Sequence, residues 1–322
     1  MSQTISNQLQ KVLEAARLSP SSHNTQPWAV KINKTSQELT IGYDPNRRLP
    51  VGDPENRELY ISLGCFIQTT LYACKDRGLE AVYRYTGKGP EDIARITFEK
   101  NSRNGNEWLS AIENRRSDRR LYEHKPLNEE SLKLLRGLKY EKANLIIIDD
   151  PEKIAFLAKM TRESTYRIMS DQAFRNELSS WVRHNWTKQP DGMPGYAQGI
   201  PGPLSLIGSW FVKNMKVVPS DQAKKDAKRV KNSAAIGLIC TNVQTLESWI
   251  DTGRLYVDAC LAAEKFGIKT AGVSAPIIDE ITNKKIVDEL KLSKRPLTLI
   301  RFGYKKGRVR TTPRLSIEQF ST

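Results

Sequence analysis

The chain has 322 residues and a formal net charge of +15, and 39% of its residues are hydrophobic and 27% charged. This balance is typical of a folded globular protein and excludes a disordered chain. No apolar run approaches the roughly 18 residues that a membrane-spanning helix needs. The start MSQTISNQLQ lacks the basic and apolar regions of a signal peptide, so we expect a cytoplasmic protein without a membrane partner.

Positive charge is clustered at RRSDRR, KKDAKRVK and KKGRVR, whereas acidic residues are mixed through most of the rest. No zinc finger or RNA-recognition signature accompanies these clusters. A solvated basic face or a small phosphorylated ligand accounts for the same charge. We therefore expect no nucleic-acid partner.

Cysteine and histidine usage argues against disulfide bonds and metal sites. The cysteines lie in apolar segments without paired spacing, which predicts buried free thiols in a reducing compartment, at Cys65, Cys74, Cys240 and Cys260. The histidines, His23, His124 and His184, are far apart and lack metal-ligand spacing, so no metal site is expected.

Apolar residues at helical spacing from Ile5 to Ala16 predict a first helix, and Pro20 and Pro27 prevent it from continuing. The segments WAVKI and ELTIGYD are predicted strands. A long buried helix is predicted over ELYISLGCFIQTTLYACKDRG, ending at Gly78, and it is followed by strands at LEAVYRY and ARITFEK.

The second part of the chain begins with a short helix at WLSAIEN and a helix over NEESLKLLRGL, for which Asn128 is the predicted cap. NLIIIDD is a predicted strand, and Asp150 with Pro151 begins another helix. Residues 165–232 have weaker periodicity and several Pro, Gly and Trp residues, which is typical of a lid or an extra subdomain.

The end of the chain contains a predicted strand at AAIGLICT, a helix over ESWIDTGRLYVDACLAAEKFG and a strand at PLTLIRFGY. Helices and strands therefore mix without strict βαβ alternation, which favours an α+β fold over a doubly wound one.

A weak internal repeat joins the two parts. SLGCFIQTTLYACKDRGLEA and DTGRLYVDACLAAEKFGIKT align without a gap, which places Gly64 on Gly253 and Gly78 on Gly267. In each copy a helix with small residues on one face ends at Gly and runs into a strand. Any two buried helices that end at Gly share these features, so the match alone leaves duplication open.

Two motifs carry a family resemblance. RLSPSSHNTQPWAV resembles the Pro-Ser-Ser-x-Asn-x-Gln-Pro-Trp signature of the FMN-dependent nitroreductase family, and RRSDRRL resembles its Arg-Arg-Ser-x-Arg signature. Their order is reversed here, because the first motif lies at residue 20 and the second at residue 115. Together with YDPNRRLPVGDPENRELYISLG, this order resembles the Acg-like branch, in which two nitroreductase-like halves are fused.

The resemblance implies a nitroreductase-like α+β fold in which residues 1–110 and 111–322 form an intramolecular pseudo-dimer around antiparallel or mixed sheets. The insertion at about 165–232 would belong to the second half. Ordinary members are homodimers whose two flavin sites straddle the interface. Two fused copies that each lack one motif would keep one complete site. Whether the chain pairs further is left open.

The resemblance also implies FMN as cofactor and a set of cofactor-binding residues. FMN has a dianionic phosphate that requires cations and a ring edge that requires donors. Arg115 and Arg314 are expected at the phosphate or ribityl chain, Arg119 near N1 and O2 of the ring, and the backbone N–H of Ser274 near N5. The remaining expected residues are Pro20, Ser21, Ser22, Asn24, Arg116 and Ser117. Without the resemblance, RRSDRR could be a solvated face and TTPRLS a surface tail.

The implied activity is hydride transfer from NADH or NADPH through FMN to a small-molecule acceptor of nitroaromatic or quinone-like type. No protein side chain acts as nucleophile or acid in that scheme, since the flavin does the chemistry. The alternative is a protein that stores FMN or uses it as a sensor, with a closed site and no turnover. In either case an aromatic residue of the insertion is a candidate cover for the flavin, among Trp181, Trp186, Tyr196 and Trp210.

Overall fold

The computed structural model describes residues 3–33, 35, 37–100, 105 and 107–322, and the side chains of residues 3–6 are outside the description. The side chain of Ile5, one of the predicted apolar positions of the first helix, therefore lies outside the described part of the chain. In the described residues, no helix combines the length and apolar character needed to cross a membrane.

The first part of the chain forms an antiparallel sheet with two helices packed together beside it. Its elements are α1 (Gln3–Ala16), β1 (Trp28–Asn33), β2 (Glu38–Tyr43), α2 (Arg57–Asp76), β3 (Leu79–Tyr85) and β4 (Ala94–Lys100). Strand order across the sheet is β1-β2-β4-β3. Gly78 has a φ of 68°, which lets the chain turn from α2 directly into β3, as the sequence predicts.

The second part opens with α3 (Leu109–Asn114), α4 (Glu129–Gly137) and β5 (Asn144–Ile148). The predicted cap of α4 is present, because Asn128 Oδ1 accepts a hydrogen bond from Ser131 N at 2.9 Å. The side chain of Asp150 likewise accepts from Lys153 N at 2.9 Å, at the start of the next helix.

An insertion separates β5 from the following strand of its sheet. It contains α5 (Pro151–Ser170), α6 (Gln172–Trp181), β6 (Val182–Arg183), β7 (Met193–Pro194), α7 (Gly195–Gln198), α8 (Gly202–Ser205), α9 (Gly208–Asn214) and α10 (Val218–Lys231). The insertion thus begins directly after β5, earlier in the chain than the expected start at about residue 165. The reason is that α5 is one continuous helix, which packs along α10 rather than belonging to the sheet.

The chain then completes a second antiparallel sheet, in the order β5-β8-β10-β9. Its remaining elements, with the C-terminal helix, are β8 (Ala235–Thr241), α11 (Leu246–Lys265), β9 (Ile268–Gly272), α12 (Ala275–Ile278), α13 (Glu280–Glu289), β10 (Arg295–Tyr304) and α14 (Ile317–Phe320). Every residue of β8 is buried, as expected for a strand in the middle of a covered sheet. The mixture of helices with antiparallel sheets confirms the α+β class.

The two sheets share one topology. In the described part of the chain, each sheet places its strands in the order first, second, fourth, third along the sequence. A long helix joins the second and third strands in both cases, α2 in one and α11 in the other. The insertion occupies the connection between the first and second strands of the second sheet.

Helices α2 and α11 cross in close contact at two glycines. A Cβ on Gly64 would lie 2.0 Å from the carbonyl oxygen of Ile250, and a Cβ on Gly253 would lie 1.9 Å from that of Ile61. No side chain fits at either position. Residues 61 and 64 align with 250 and 253 in the sequence repeat, so the contact is reciprocal, as at a two-fold axis.

The C-terminal segment returns to the first sheet. Thr322 N donates to Val30 O at 2.9 Å, and Ile32 N donates to Thr322 O at 2.9 Å. Phe320 packs edge-on against Phe66 of α2, with ring centroids 5.9 Å apart. The hydrophobic core of the first sheet therefore includes residues from the end of the chain. All four cysteines are free and buried, as predicted.

Candidate functional site

The connection between α1 and β1, residues 17–27, has a strained backbone. His23, Asn24 and Gln26 have φ values of 51°, 58° and 52°. They are half of the six non-glycine residues with positive φ in the described part of the chain. Such conformations cost free energy and persist only where surrounding contacts enforce them, which is common at binding sites.

Hydrogen bonds from three regions hold this loop. Ser21 Oγ accepts from Gln26 N at 3.0 Å. The Gln26 side chain is fully buried; it donates to Pro190 O at 2.8 Å and accepts from Leu315 N at 2.9 Å. Trp28 begins β1 and stacks on Phe66 at 4.9 Å. Gln26 and the Trp28 ring thus fix the loop to the insertion, the C-terminal segment and α2.

The other face of the loop contacts the first turns of α2. Ser22 Oγ donates to Glu58 Oε2 at 2.8 Å, and Ser22 N donates to Ser62 Oγ at 3.3 Å. Pro20 lies between these contacts and the end of α1 and is partly exposed. The serines predicted for cofactor binding therefore already make contacts that set the shape of the loop.

Asn24 joins three separate segments of the chain. Its Nδ2 donates to Gly192 O and to Pro313 O, both at 3.0 Å. Its Oδ1 accepts from Nη1 of Arg314. Because both ends of the amide are used, Asn24 positions Arg314 and the insertion in this structure.

Arg115 and Arg314 converge on the start of the same loop. Arg115 is buried, and its Nη2 donates to Leu18 O at 3.1 Å. Arg314 Nη2 points to the same carbonyl at 3.4 Å. Arg116 donates to Thr311 Oγ1 at 2.9 Å and to the carbonyl of Arg115 at 2.7 Å. We call Arg115, Arg116 and Arg314 the arginine cluster.

The arginine cluster lacks a carboxylate. In the residues that the structure describes, none of its three guanidinium groups forms an ion pair. Burial and the positive charges of Arg115, Arg116 and Arg17 lower the pKa of Arg314 to about 9. The Nε atoms of Arg116 and Arg314 are buried without a hydrogen-bond partner. Such a site favours an anion with several acceptor oxygens.

Ser117 and Arg119 continue from the arginine cluster along the edge of the second sheet. Ser117 forms a parallel bridge with Thr270 of β9. Arg119 makes no hydrogen bond or ion pair with any residue in the described ranges. Burial and the charge of Arg229 on α10 lower its pKa, and Asp226 on the same helix opposes this shift. Burial and Arg119 lower the pKa of His23 to about 4. His23 is therefore neutral at pH 7 beside an unpaired guanidinium.

Ser274 lies two residues beyond β9, at the start of α12. Its side chain is exposed, and no contact with the other candidate residues is found in the described part of the chain. Gly272 lies beside the hydroxyl of Tyr256, which a Cβ there would approach to 3.1 Å. Eight of the ten candidates thus lie in the loop of residues 17–27 and in residues 115–119. Arg314 joins them from the C-terminal segment, and Ser274 stands apart.

Of the aromatic residues considered as covers, Tyr196 contacts the site. Its hydroxyl donates to Thr311 O at 2.8 Å, and Arg310 stacks on its ring at 4.4 Å. Trp186 and Trp210 are 60% and 58% exposed, and no contact of either ring with the candidate residues is found in the described part of the chain. Trp181 packs with Arg183, at 5.9 Å.

Sequence reasoning missed several residues at the site. Arg17 contributes charge to the arginine cluster, and its signal was its place directly before the loop motif. Asp226 and Arg229 come from the insertion, and nothing in their basic, weakly periodic surroundings indicated a position near Arg119. Tyr256 lies near Arg115 and Arg119 on the buried side of α11.

A cavity of about 260 Å³ opens next to the arginine cluster. Arg116 and Arg308 lie on its wall with the Lys269–Glu264 ion pair, whose atoms are 2.8 Å apart. Arg116 therefore belongs both to the cluster and to the wall of this cleft, which Asp118 also lines.

Comparison with known proteins aligns almost the whole chain. A Serratia protein named "Probable NAD(P)H nitroreductase" is 22% identical over 99% of this chain and 94% of its own length. The chain is thus similar over nearly its whole length to a protein named as a nitroreductase. Relatives from two Mycobacterium tuberculosis strains, also named as NAD(P)H nitroreductases, are each 23% identical over 83% of this chain and 76% of their own. No family model matches the chain.

Solved nitroreductase structures also align with part of the chain. The FMN-dependent nitroreductase NfnB from Mycobacterium smegmatis, in complex with NADPH, is 14% identical over 65% of this chain and 93% of its own, with a TM-score of 0.42. A nitroreductase with bound FMN from Bacteroides fragilis is 13% identical over 63% of this chain and 90% of its own, with a TM-score of 0.40. The similarity to nitroreductases is therefore carried by the sequence matches and the two motifs rather than by these structures.

The two nitroreductase signatures are far apart in sequence and meet in the structure. The hydrogen bond from Arg115 to Leu18 O joins residues 97 positions apart. The bond from Arg314 to Asn24 joins the C-terminal segment to the same loop. The family motifs thus form one connected set of residues.

Proposed function

We propose that this chain is an FMN-dependent oxidoreductase of nitroreductase type, in which two fused halves form one flavin site. The observation that carries the proposal is the arginine cluster, in which Arg115 is buried and Arg116 and Arg314 are partly buried. The cluster forms no ion pair in the described residues, and it contacts the strained loop of residues 17–27. An anionic group held at this point would sit between the two family signatures.

The arginine cluster fits the phosphate of FMN. A dianion with several oxygens can accept hydrogen bonds from the buried Nε atoms of Arg116 and Arg314, which have no partner in the described structure. It would also relieve the mutual repulsion that lowers the pKa of Arg314. Arg115, Arg116 and Arg314 would therefore bind the phosphate, with Asn24 positioning Arg314.

The remaining candidates would bind the ribityl chain and the ring. The loop beside the arginine cluster contains Pro20, Ser21 and Ser22. Ser117 lies between Arg116 and Arg119 in the chain. The unpaired guanidinium of Arg119 would stabilise negative charge at the N1 and O2 edge, since His23 beside it is neutral. The backbone N–H of Ser274 would face N5. When bound, FMN supplies a ring that accepts a hydride and passes electrons on.

The proposed halves are residues 1–110 and 111–322, with the insertion in the second. Two observations support a duplication: the identical strand order of the two sheets and the reciprocal contact of Gly64 and Gly253. The loop signature belongs to the first half and the arginine signature to the second. One complete site per chain follows from this division.

The proposed reaction oxidises NADH or NADPH and reduces a small nitroaromatic or quinone-like acceptor. The protein contributes binding, orientation and electrostatics rather than an acid or a nucleophile. The arginines hold the cofactor, and Arg119 favours the reduced, anionic form of its ring. Tyr196 and Gly192 tie the insertion to the same region through hydrogen bonds to Thr311 and Asn24.

The second candidate function is storage or sensing of FMN without turnover. It is favoured by the contacts that tie the insertion to the site, which are those of Pro190 with Gln26, Gly192 with Asn24, and Tyr196 with Thr311. A segment held by these hydrogen bonds would have to move before a nicotinamide could reach the ring.

Anaerobic addition of NADH or NADPH to the FMN-loaded protein separates the two functions. We expect the flavin absorbance to bleach and to return when a nitroaromatic or a quinone is added. A flavin that stays oxidised with both nicotinamides would contradict the oxidoreductase and favour storage. A chain that cannot be loaded with FMN would contradict both.

Replacing Arg314 tests the cofactor site directly. Arg314→Gln removes a charged donor, so we expect the Kd for FMN to rise roughly 10- to 100-fold, as measured by fluorescence quenching. Arg136→Gln is the control, because Arg136 forms an exposed ion pair with Asp149 away from the loop, and its Kd should equal that of the wild type. Equal FMN affinity of R314Q and R136Q would exclude this site.

A further inference from the structure

The outer face of the insertion exposes a concentration of large apolar side chains. In the described residues, seven of the fourteen exposed large hydrophobic residues fall between positions 186 and 217. They are Trp186, Leu204, Leu206, Ile207, Trp210, Phe211 and Val217. Scattered exposed apolar residues are normal on a protein surface, whereas a group of this kind marks an interaction site. We call these seven residues the apolar face.

Most of the apolar face lies on or beside two packed short helices. The Trp186 ring lies against α8, where a Cβ on Gly202 would be 3.1 Å from its nearest atom. Leu206 and Ile207 connect α8 to α9, and Trp210 and Phe211 are on α9 itself. The inner side of α9 packs on α6, with Ser209 Oγ donating to Ser179 O at 2.8 Å. The exposed aromatic rings are therefore presented by a helix that is held in place.

The stretch of chain that carries most of the apolar face is basic. Residues 192–220 contain no Asp or Glu, whereas Lys213 and Lys216 lie among the apolar residues and are exposed. Helix α10 follows with further exposed lysines, Lys224, Lys225, Lys228 and Lys231. The surface thus combines an apolar centre with a positive rim.

This combination fits an anionic lipid bilayer better than a second copy of the chain. A symmetric contact between two copies would place Lys213 and Lys216 near the same lysines of the partner, without an acidic residue from this stretch to compensate. A bilayer with anionic lipids offers negative headgroups to the lysines and an interfacial layer that accommodates Trp rings. We propose that the apolar face docks on a membrane surface that contains anionic lipids.

Surface docking differs from crossing a membrane. The expectation of no membrane partner was based on the lack of a long apolar run, which does not bear on a peripheral contact. The insertion that carries the apolar face also contacts the candidate site through Pro190 and Gly192. Docking would bring the candidate site towards the bilayer and the compounds dissolved in it. Only this consequence of docking rests on the proposed function.

Sedimentation with vesicles tests the proposal on the full chain. We expect the protein to sediment with vesicles of phosphatidylcholine and phosphatidylglycerol and to stay in solution with phosphatidylcholine alone. The emission of Trp186 and Trp210 should shift to shorter wavelength on binding, because both rings leave water. No binding to the anionic vesicles, or equal binding to the neutral ones, would overturn the proposal.

Two double variants and a control assign the contact. Trp210→Ser with Phe211→Ser should reduce the vesicle partition coefficient more than about tenfold. The double variant Lys213→Gln with Lys216→Gln should reduce the vesicle partition coefficient by roughly fivefold for each lysine replaced. Ile281→Ser is the matched control, because Ile281 is 59% exposed on α13 and should leave binding unchanged. Equal vesicle binding of W210S/F211S and the wild type would overturn the proposal. The proposal would also be overturned if the wild type self-associates and only W210S/F211S fails to do so.

Vesicle binding is measured without a cofactor or turnover, so its failure is distinguishable from failure of the proposed function. A chain that oxidises NADPH but ignores anionic vesicles would contradict only the docking surface. A chain that binds vesicles but fails to load FMN would contradict only the oxidoreductase. Circular dichroism of each variant establishes that the fold is retained.

Discussion

At the scale of single residues, Asp53, which lies just before α2, is expected to make the stability of the protein depend on pH. Its carboxyl is buried, and Oδ2 accepts a hydrogen bond from Leu59 N at 2.9 Å. Burial and the neighbouring Glu58 raise the pKa of Asp53 to about 6. Glu58 in turn accepts the hydrogen bond from Ser22 in the strained loop. An ionised Asp53 therefore costs stability next to the contacts that shape the site.

Replacing Asp53 with Asn should stabilise the protein in a pH-dependent way. Since the pKa of Asp53 is higher in the folded state than its ordinary 3.8, its contribution to stability is complete below about pH 4 and is lost as pH rises through about 6. Asn stays neutral and keeps an oxygen for Leu59 N. We expect D53N to match the wild type at pH 4 and to exceed it by about 3 kcal/mol above pH 7, as measured by urea unfolding. Parallel stability curves across this range would contradict the raised pKa.

The residues of the candidate site differ in how far their positions could be anticipated. The family resemblance indicated Arg115, Arg314 and Asn24, and the structure joins all three through Leu18 and the Asn24 amide. The positive φ values of His23 and Gln26 could not be anticipated, because neither residue type requires such a backbone. Long-range hydrogen bonds of Asn24 and Gln26 to the insertion and the C-terminal segment hold the loop in this shape.

At the scale of secondary-structure elements, the crossing of α2 and α11 is the contact most sensitive to side-chain size. Both backbones approach closely enough that a carbonyl oxygen occupies the place of a Cβ. Cys65 Sγ also donates to Gly253 O at 3.3 Å in this contact. The glycine pair therefore sets the distance between the two sheets' long helices.

Adding one methyl group at this crossing should be strongly destabilising. Gly253→Ala places a Cβ 1.9 Å from Ile61 O, and neither helix can move without disturbing the core, so we expect a loss of about 3 kcal/mol in the free energy of unfolding. Gly137→Ala is the matched control at the end of α4, where a Cβ meets nothing within 4 Å. It should stabilise by roughly 0.5 kcal/mol. Equal effects of the two substitutions in chemical denaturation would refute the close crossing.

The long elements were predictable because their patterns are strong. The helix predicted to end at Gly78 and the one over ESWIDTGRLYVDACLAAEKFG correspond to α2 and α11, and the predicted strands are present. The insertion was not predictable in detail. Its short helices α8 and α9 follow Pro and Gly residues, and their exposed apolar side chains lack the one-sided pattern on which periodicity depends.

At the scale of the whole molecule, a cluster of side chains fills the place that the repeat assigns to a second site. In the sequence repeat, Cys65, which lies near Arg115, aligns with Arg254. The guanidinium carbon of Arg254 lies 4.7 Å from the ring centroid of Tyr83 and 4.5 Å from that of Tyr140. Asp258 accepts hydrogen bonds from Tyr72, Tyr140 and Gln68, at 2.8, 2.7 and 2.9 Å, close to Arg254. The short connection from α4 to β5 carries Tyr140 where the first half has the loop signature.

The cluster around Arg254 differs from the arginine cluster because its arginine has a carboxylate partner within the chain. Arg254 has Asp251 as an ion-pair partner at 3.1 Å, whereas Arg115 and Arg314 have no carboxylate in the described structure. Only the arginine cluster therefore needs an external anion. We infer that the duplicated fold keeps one flavin site and uses the equivalent position to hold the two halves together.

Titration of the chain with FMN should accordingly saturate at one molecule per chain. Ser21→Ala in the first half and Arg115→Gln in the second should each weaken that single binding event, because both residues belong to one site. With two independent sites, R115Q would instead leave a second phase of unchanged affinity. Calorimetry measures both the stoichiometry and the affinity, and saturation at two, or a residual tight phase in R115Q, would show that the position around Arg254 also binds flavin.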